Sequence, residues 1–291
     1  MTQVYRGRFA PSPTGPLHFG SLVAAVASWL DARANHGEWL VRIEDLDPPR
    51  VFPDSARMIL DTLEYHGLIW DGEVEYQSNH YAYYSDALEE LASLGRTYRC
   101  SCSRADLVAM GGSYDGRCKK SPAPESEEHA IRFSVEESAN WQDLIQGPAD
   151  FDSAAIHGDF IVFRRDQLFS YQLAVAIDDW QQGITHVIRG FDLFDSTARQ
   201  IMLLQALNKP APVYGHFAIA ADDQGVKLSK QSHAEAIDCG TASVNIIAAL
   251  EFLGQEVPPS APELSASEIL DMASRNWRLD KVPKKQSIRV C

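Results

Sequence analysis

The segment Arg8 to Ser21, RFAPSPTGPLHFGS, joins a short apolar run to a helical one, and its residues suit an anion. A loop without bulky polar side chains that opens a helix offers the unpaired N–H groups of the first turn, a ready site for phosphate. His18 stands at this entrance beside Gly20, where an imidazole could donate hydrogen bonds to a phosphate. Taken singly, the segment is also an ordinary proline-rich turn before a helix. Downstream, KLSKQ (Lys227 to Gln231) sets Lys227 and Lys230 around a serine. Lysines on a loop can neutralise charge that develops as pyrophosphate departs. By itself that pentapeptide is a solvated loop. A third group is Cys100, Cys102 and Cys118. Three close thiolates favour tetrahedral Zn²⁺ and leave one position open, for which His129, Asp115 or water are candidates. The plainer reading is three reduced structural cysteines.

The elements that must carry these groups read as an α/β protein. Val4 to Phe9 suits a strand, Leu22 to Ala34 has apolar residues at helical spacing with Gly37 as its C-terminal cap, and Trp39 to Ile43 suits a buried strand ending in Glu44 and Asp45. Strand, helix, strand begins a parallel sheet. Asp54 to His66 and His80 to Leu94 read as helices closed by Gly67 and Gly95. Arg99 to about Glu128, with its cysteines and the stretch SPAPESEE, reads as an insertion ending in an exposed linker. Strands are expected at Ala130 to Val135, Asp159 to Arg164 and Thr185 to Arg189, with an amphipathic segment at Thr197 to Leu207, and Val213 to Ala220 precedes a tight Asp222–Gly225 turn. Helical patterning returns from Thr241, breaks at Pro258 to Pro262 and resumes from Ser267.

The 291 residues, 45% of them hydrophobic, can bury a sizeable core. No run approaches the ~18 apolar residues needed to cross a bilayer, and no signal layout opens the chain. Five cysteines without such a signal argue for reduced thiols, a soluble cytoplasmic protein is the expectation, and a monomer is expected separately, since the sequence does not fix oligomeric state. A net charge of −14 repels nucleic acid overall and disfavours a zinc-centred nucleic-acid-binding protein. RNA contact would rest on local clusters, Arg96, Arg99, Arg104, Arg117, Lys119 and Lys120, or Arg275, Arg278, Lys281, Lys284 and Lys285.

In this order, the first string and KLSKQ resemble the signature loops of class I aminoacyl-tRNA synthetases, and the first looks specifically like the glutamyl/glutaminyl branch. RIEDLDPPR (Arg42 to Arg50) is similar to that branch's R-I-E-D-T-D signature, and Gly158 to Gly190 to its second-half signature; the resemblance covers roughly residues 3 to 240. It implies a Rossmann-like doubly wound parallel sheet interrupted by a zinc-bearing insertion and followed by a small helical region. It also implies ATP-dependent activation of L-glutamate as an adenylate, with Mg²⁺ on the ATP.

Carried over residue by residue, Arg8 and Arg189 match pocket arginines whose planar guanidinium fits a carboxylate. Phe9, Ala10, Pro11 and Ser12 fall on the same wall, Glu44 matches the carboxylate that holds the substrate ammonium, and Tyr171 lines the substrate. His18 and Gly20 would bind ATP phosphates, with Lys227 and Lys230 completing the catalytic set. The family's Y-x-x-x-C arrangement matches Tyr114 to Cys118, which implies Tyr114 as the fourth ligand of one structural Zn²⁺. Departures include Ser21 for the motif's final histidine, Leu46 for the threonine of R-I-E-D-T-D, Leu193 for a histidine, Leu228 for a methionine, Gln231 for a serine, and Gln172 where many relatives carry asparagine.

Only about sixty residues follow the lysine loop, too few for a large anticodon-reading region. The variant signature and this length are similar to the glutamyl-Q tRNA(Asp) synthetases, a family that transfers activated glutamate to queuosine in the anticodon loop of tRNA(Asp). A shortened glutamyl-tRNA synthetase charging a tRNA 3′ end and a catalytically silent glutamate- or ATP-binding module are the competing readings. The expected organisation is a first catalytic half (1–96), an insertion with the zinc module and an acceptor-type subdomain (97–157), a second half with KLSKQ (158–240) and a helical C-terminal region (241–291).

Overall fold

The computed structural model describes residues 4–152, 158–221 and 236–290. Strand β1 (Arg6–Phe9), helix α1 (Phe19–Ala34) and strand β2 (Glu38–Ile43) form the expected unit, with β1 and β2 parallel from Arg6↔Glu38 to Phe9↔Val41. α1 starts at Phe19 rather than Leu22 because His18 caps it, its Nδ1 accepting the Ser21 N–H at 3.4 Å. At the other end the expected glycine cap is corrected. His36 takes the left-handed conformation (φ 54°), while the N–H groups of Gly37 and His36 reach back to Ala32 and Arg33 carbonyls at 2.9 and 3.0 Å. Gly37 serves a different need, since a Cβ there would lie 2.4 Å from the Tyr5 carbonyl oxygen.

Helix α2 (Ser55–Tyr65) closes on Gly67 (φ 75°) as expected, and strand β3 (Glu75–Tyr76) continues the parallel sheet beside β2. After helix α3 (Tyr81–Ser93), strand β4 (Thr97–Cys100), helices α4 (Arg104–Ala109) and α5 (Arg117–Lys120) and strand β5 (Ala130–Phe133) precede a hairpin of β6 (Ala139–Asp143) and β7 (Gly147–Phe151). Strand β8 (Phe160–Phe163) then completes an antiparallel sheet in the order β4-β5-β8.

Helix α6 (Tyr171–Gln181), strand β9 (His186–Gly190), helix α7 (Phe194–Ala206) and strand β10 (Val213–Phe217) repeat the parallel strand–helix–strand pattern. A hydrogen bond from Thr185 N–H to the Arg6 carbonyl at 2.9 Å lays β9 along the free edge of β1. After a break at Ala218, strand β11 (Ile219–Ala221) leaves β10. Helices α8 (Ala242–Phe252) and α9 (Ala266–Asn276) follow, and strand β12 (Ser287–Arg289) then pairs with β11 in parallel.

The apolar residues separate into two main clusters. One packs α1, buried on most sides, against α8 and α9. The other joins α3, α6, α7 and β8. Among the described residues, no helix is long and apolar enough to cross a membrane.

Candidate active site

The carboxyl ends of β1 and β9 meet where one half of the parallel strands runs toward β2 and the other toward β10. Such a reversal of strand order leaves a crevice beyond the strand ends. Here it is a cavity of about 820 Å³. Arg8, Phe9, Ala10, Pro11 and Ser12 line it from the end of β1, Tyr171 from the start of α6, and Arg189 from β9. His18, Gly20 and Ser21 line it at the first turn of α1. The sequence-derived residues at both ends of the pocket therefore face one space. Glu44 lies beside that wall, its N–H bonded to the Pro11 carbonyl at 3.0 Å, with a side chain only 7% exposed. Lys227 and Lys230 lie outside the described residues. The flanks of their segment converge on the cavity. Ala218, Ile219 and Ala220 line it, and Ala236 forms a β-bridge with His18.

Charge around Arg8 is densely compensated. Its Nε and Nη2 donate to the two oxygens of Asp179, each at 3.2 Å. Behind it the inaccessible Arg42 donates to Asp179 at 2.8 Å and to Gln182 Oε1 at 2.7 Å, and lies 3.5 Å from both Asp178 and Glu44. Burial pushes the Glu44 carboxyl up to about 7, although Arg42 and Arg8 pull against it. Asp179 instead is held low: burial would raise it, but Arg8 and Arg42 outweigh that. Burial pushes the Tyr171 phenol up to about 12, so it stays protonated.

Arg189 is held differently. Its Nη2 donates to Thr197 Oγ1 at 2.7 Å and to Gln200 Oε1 at 2.9 Å, and its Nε to Nε2 of the buried His216 at 3.1 Å. Among the described residues, Nη1 has no hydrogen-bond partner.

Between β4 and α5, the sulfurs of Cys100, Cys102 and Cys118 lie within 4.8 Å of one another, and all three cysteines are free. The Cys102 and Cys118 sulfurs are 3.5 Å apart. Thiolates sharing a tetrahedral Zn²⁺ lie about 3.8 Å apart, so the spacing suits a shared ion. The Tyr114 hydroxyl is 3.6 Å from Cys100 Sγ and accepts the Cys118 N–H at 3.0 Å. The other two sequence candidates turn away: Asp115 pairs with Arg117 at 2.8 Å, and His129 Nδ1 faces the Glu127 carbonyl at 2.7 Å. Burial opposes ionisation of Cys118, yet hydrogen bonds from Tyr114 and Cys102 bring its thiol down to about 7. The cluster is able to hold a metal ion.

The family model described as tRNA synthetases class I (E and Q), catalytic domain, matches residues 4–243. The glutamyl-Q tRNA(Asp) synthetase of Serratia proteamaculans (strain 568) is 46% identical over 285 residues, covering 98% of this chain and 94% of that protein. The chain belongs to the glutamyl-Q tRNA(Asp) synthetase family. The Escherichia coli (strain K12) member is 46% identical over 282 residues, covering 96% of this chain and 91% of that one. A glutamate-tRNA synthetase structure from Elizabethkingia anophelis superimposes with a TM-score of 0.80 at 26% identity, covering 99% of this chain and 68% of that chain. The fold is thus the α/β fold of class I synthetases, with a cysteine cluster added.

As a family member, the chain has site neighbours that sequence motifs did not reveal. Asp178 and Asp179, both buried on α6, supply the counter-charge to Arg8 and Arg42. The available signal was two consecutive acids directly after the apolar run Leu173 to Ile177. Asp143 and His216 gave no comparable signal.

Proposed function

We propose that the chain activates L-glutamate with ATP and passes the glutamyl group to queuosine in the anticodon loop of tRNA(Asp). The single observation that carries this is the shared cavity, with guanidinium groups at one end and the capped start of α1 at the other. In this reading Arg189 Nη1 and Arg8 receive substrate carboxylate oxygens, Glu44 receives the ammonium, and Phe9, Ala10, Pro11, Ser12 and Tyr171 shape the wall. His18 and the backbone at Gly20 hold the ATP phosphates. The glutamate α-carboxylate attacks the α-phosphorus in line and pyrophosphate leaves, with Lys230 and Lys227 countering the charge that develops. A queuosine hydroxyl then attacks the carbonyl carbon of the mixed anhydride, the bond to phosphate breaks, AMP leaves and the hydroxyl proton is released. No side chain need form a covalent intermediate. Positioning and charge stabilisation are the protein's contribution. Mg²⁺ bound to the triphosphate would neutralise part of its charge.

We read the parallel strands as one doubly wound sheet, its halves at 1–96 and 158–240 divided by the insertion at 97–157 and followed by a helical region at 241–291. Zn²⁺ held by Cys100, Cys102, Cys118 and Tyr114 would cross-link β4 to α5 and serve structure.

The test has two stages. Glutamate-dependent ATP–pyrophosphate exchange is measured first without tRNA, in the wild type and in His18→Ala and Lys230→Ala. Each substitution is expected to slow exchange about 10²–10³-fold; full retention removes the assigned roles. Labelled glutamate is then offered to tRNA(Asp) with and without queuosine. Transfer to queuosine-free tRNA, or to a 3′ end, overturns the proposed acceptor.

A further inference from the structure

A guanidinium carries five N–H donors, and here three have partners behind the cavity. Nε donates to His216 Nε2 at 3.1 Å, and Nη2 to Thr197 Oγ1 and Gln200 Oε1 at 2.7 and 2.9 Å. Nη1 is buried, without a partner among the described residues, on a residue that lines the cavity. Which edge of Arg189 faces the ligand thus depends on what accepts from the opposite edge. An imidazole nitrogen accepts only when the ring's single proton sits on the other nitrogen.

Asp143 settles where that proton sits. Its Oδ2 lies 2.5 Å from His216 Nδ1. Its Oδ1 accepts the backbone N–H groups of Ile145, Gln146 and His216 at 3.0, 2.9 and 3.1 Å. Both oxygens are therefore used as acceptors, which a carboxylate satisfies and an amide cannot. Burial, aided by the charge of Arg189 and opposed by Asp143, brings the His216 pKa down to about 4, so the ring carries one proton at neutral pH. Asp143 ends β6 in the insertion, whereas His216 and Arg189 stand on the neighbouring strands β10 and β9.

We propose that Asp143 and His216 are positioning residues for substrate glutamate: Asp143 locks His216 as its Nδ1–H tautomer, and the unprotonated Nε2, which also lies 3.0 Å from Thr197 Oγ1, holds Arg189 with Nη1 turned to the substrate carboxylate. This rests on the reading of Arg189 as a glutamate ligand. The insertion then contributes to amino-acid recognition without touching the amino acid.

Asp143→Asn keeps the shape and tests the tautomer. With Oδ1 committed to three N–H groups, the new amide can only present N–H to Nδ1. His216 must then move its proton to Nε2, setting N–H against the N–H of Arg189. In pyrophosphate exchange, KM for glutamate is expected to rise about tenfold or more while KM for ATP stays near wild type. Ring-nitrogen NMR of His216 should report Nδ1–H in the wild type and Nε2–H in the variant. An unchanged KM for glutamate, a parallel rise in both KM values, or the same tautomer in both proteins overturns the proposal. His216→Gln and His216→Leu provide an independent pair. Glutamine retains an acceptor and should raise KM for glutamate less than leucine does; equal effects overturn the proposal. If the wild type shows no glutamate-dependent exchange, the proposed function fails, while the NMR measurement still decides the tautomer lock.

Discussion

The two arginine neighbourhoods of the cavity are built on opposite principles. Around Arg8 and Arg42, two guanidiniums face three carboxylates, Asp178, Asp179 and Glu44, in a nearly inaccessible network. Around Arg189 the direct partners are a hydroxyl, an amide, a carbonyl and a neutral imidazole. A charge already matched by carboxylates contributes to scaffold and exerts little net pull on a ligand. A buried charge met by neutral dipoles keeps its field for whatever enters. In the proposed reading, Arg42 with Asp178 and Asp179 supports the wall and holds Arg8 and Glu44 in place, while Arg189 meets the substrate with a charge that no carboxylate contacts directly.

The largest expected effect lies in the first cluster. Arg42→Met leaves Asp178 and Asp179 under-compensated inside the protein and should cost about 3–5 kcal/mol of unfolding free energy. A urea midpoint that does not move would erase the scaffold half of the contrast. Arg189→Lys should instead leave that midpoint close to wild type, while kcat/KM for glutamate falls about a hundredfold, because a point-like ammonium cannot replace the planar fork. Loss of stability comparable to Arg42→Met would make the two sites alike. The smallest effect is a pH dependence. Glu44 binds an ammonium only when ionised, and its pKa stands near 7. Glutamate affinity should therefore rise with pH, by about tenfold between pH 6 and pH 8, and Glu44→Gln should flatten that profile. A flat wild-type profile, read from KM in pyrophosphate exchange, would remove Glu44 as the ammonium ligand.

Much of the first half was legible because local rules and tertiary packing agree there. The apolar spacing from Leu22 specified α1, and the short run Trp39 to Ile43 specified a buried strand. The start of α1 was missed by a few residues because a histidine cap is not among the usual cap residues. The hairpin β6–β7 escaped notice because ANWQD and GPADF lack a clear apolar alternation, and pairing with each other sets their form. Arg8 and Arg189 were visible through their motifs, but their contrasting partners were not. Asp179 on α6, and His216 and Asp143 on strands from separate segments, become neighbours only when the halves close. Sequence spacing carries no trace of that.

The pairing of β11 with β12 links two remote stretches of chain. Ile219 to Ala221 stand immediately ahead of the segment that bears KLSKQ, and their parallel partner is Ser287 to Arg289, beside the last residues of the chain. Trimming the chain back to Pro283 would remove β12 and leave the backbone groups of Ile219 to Ala221 on that side without their parallel partner.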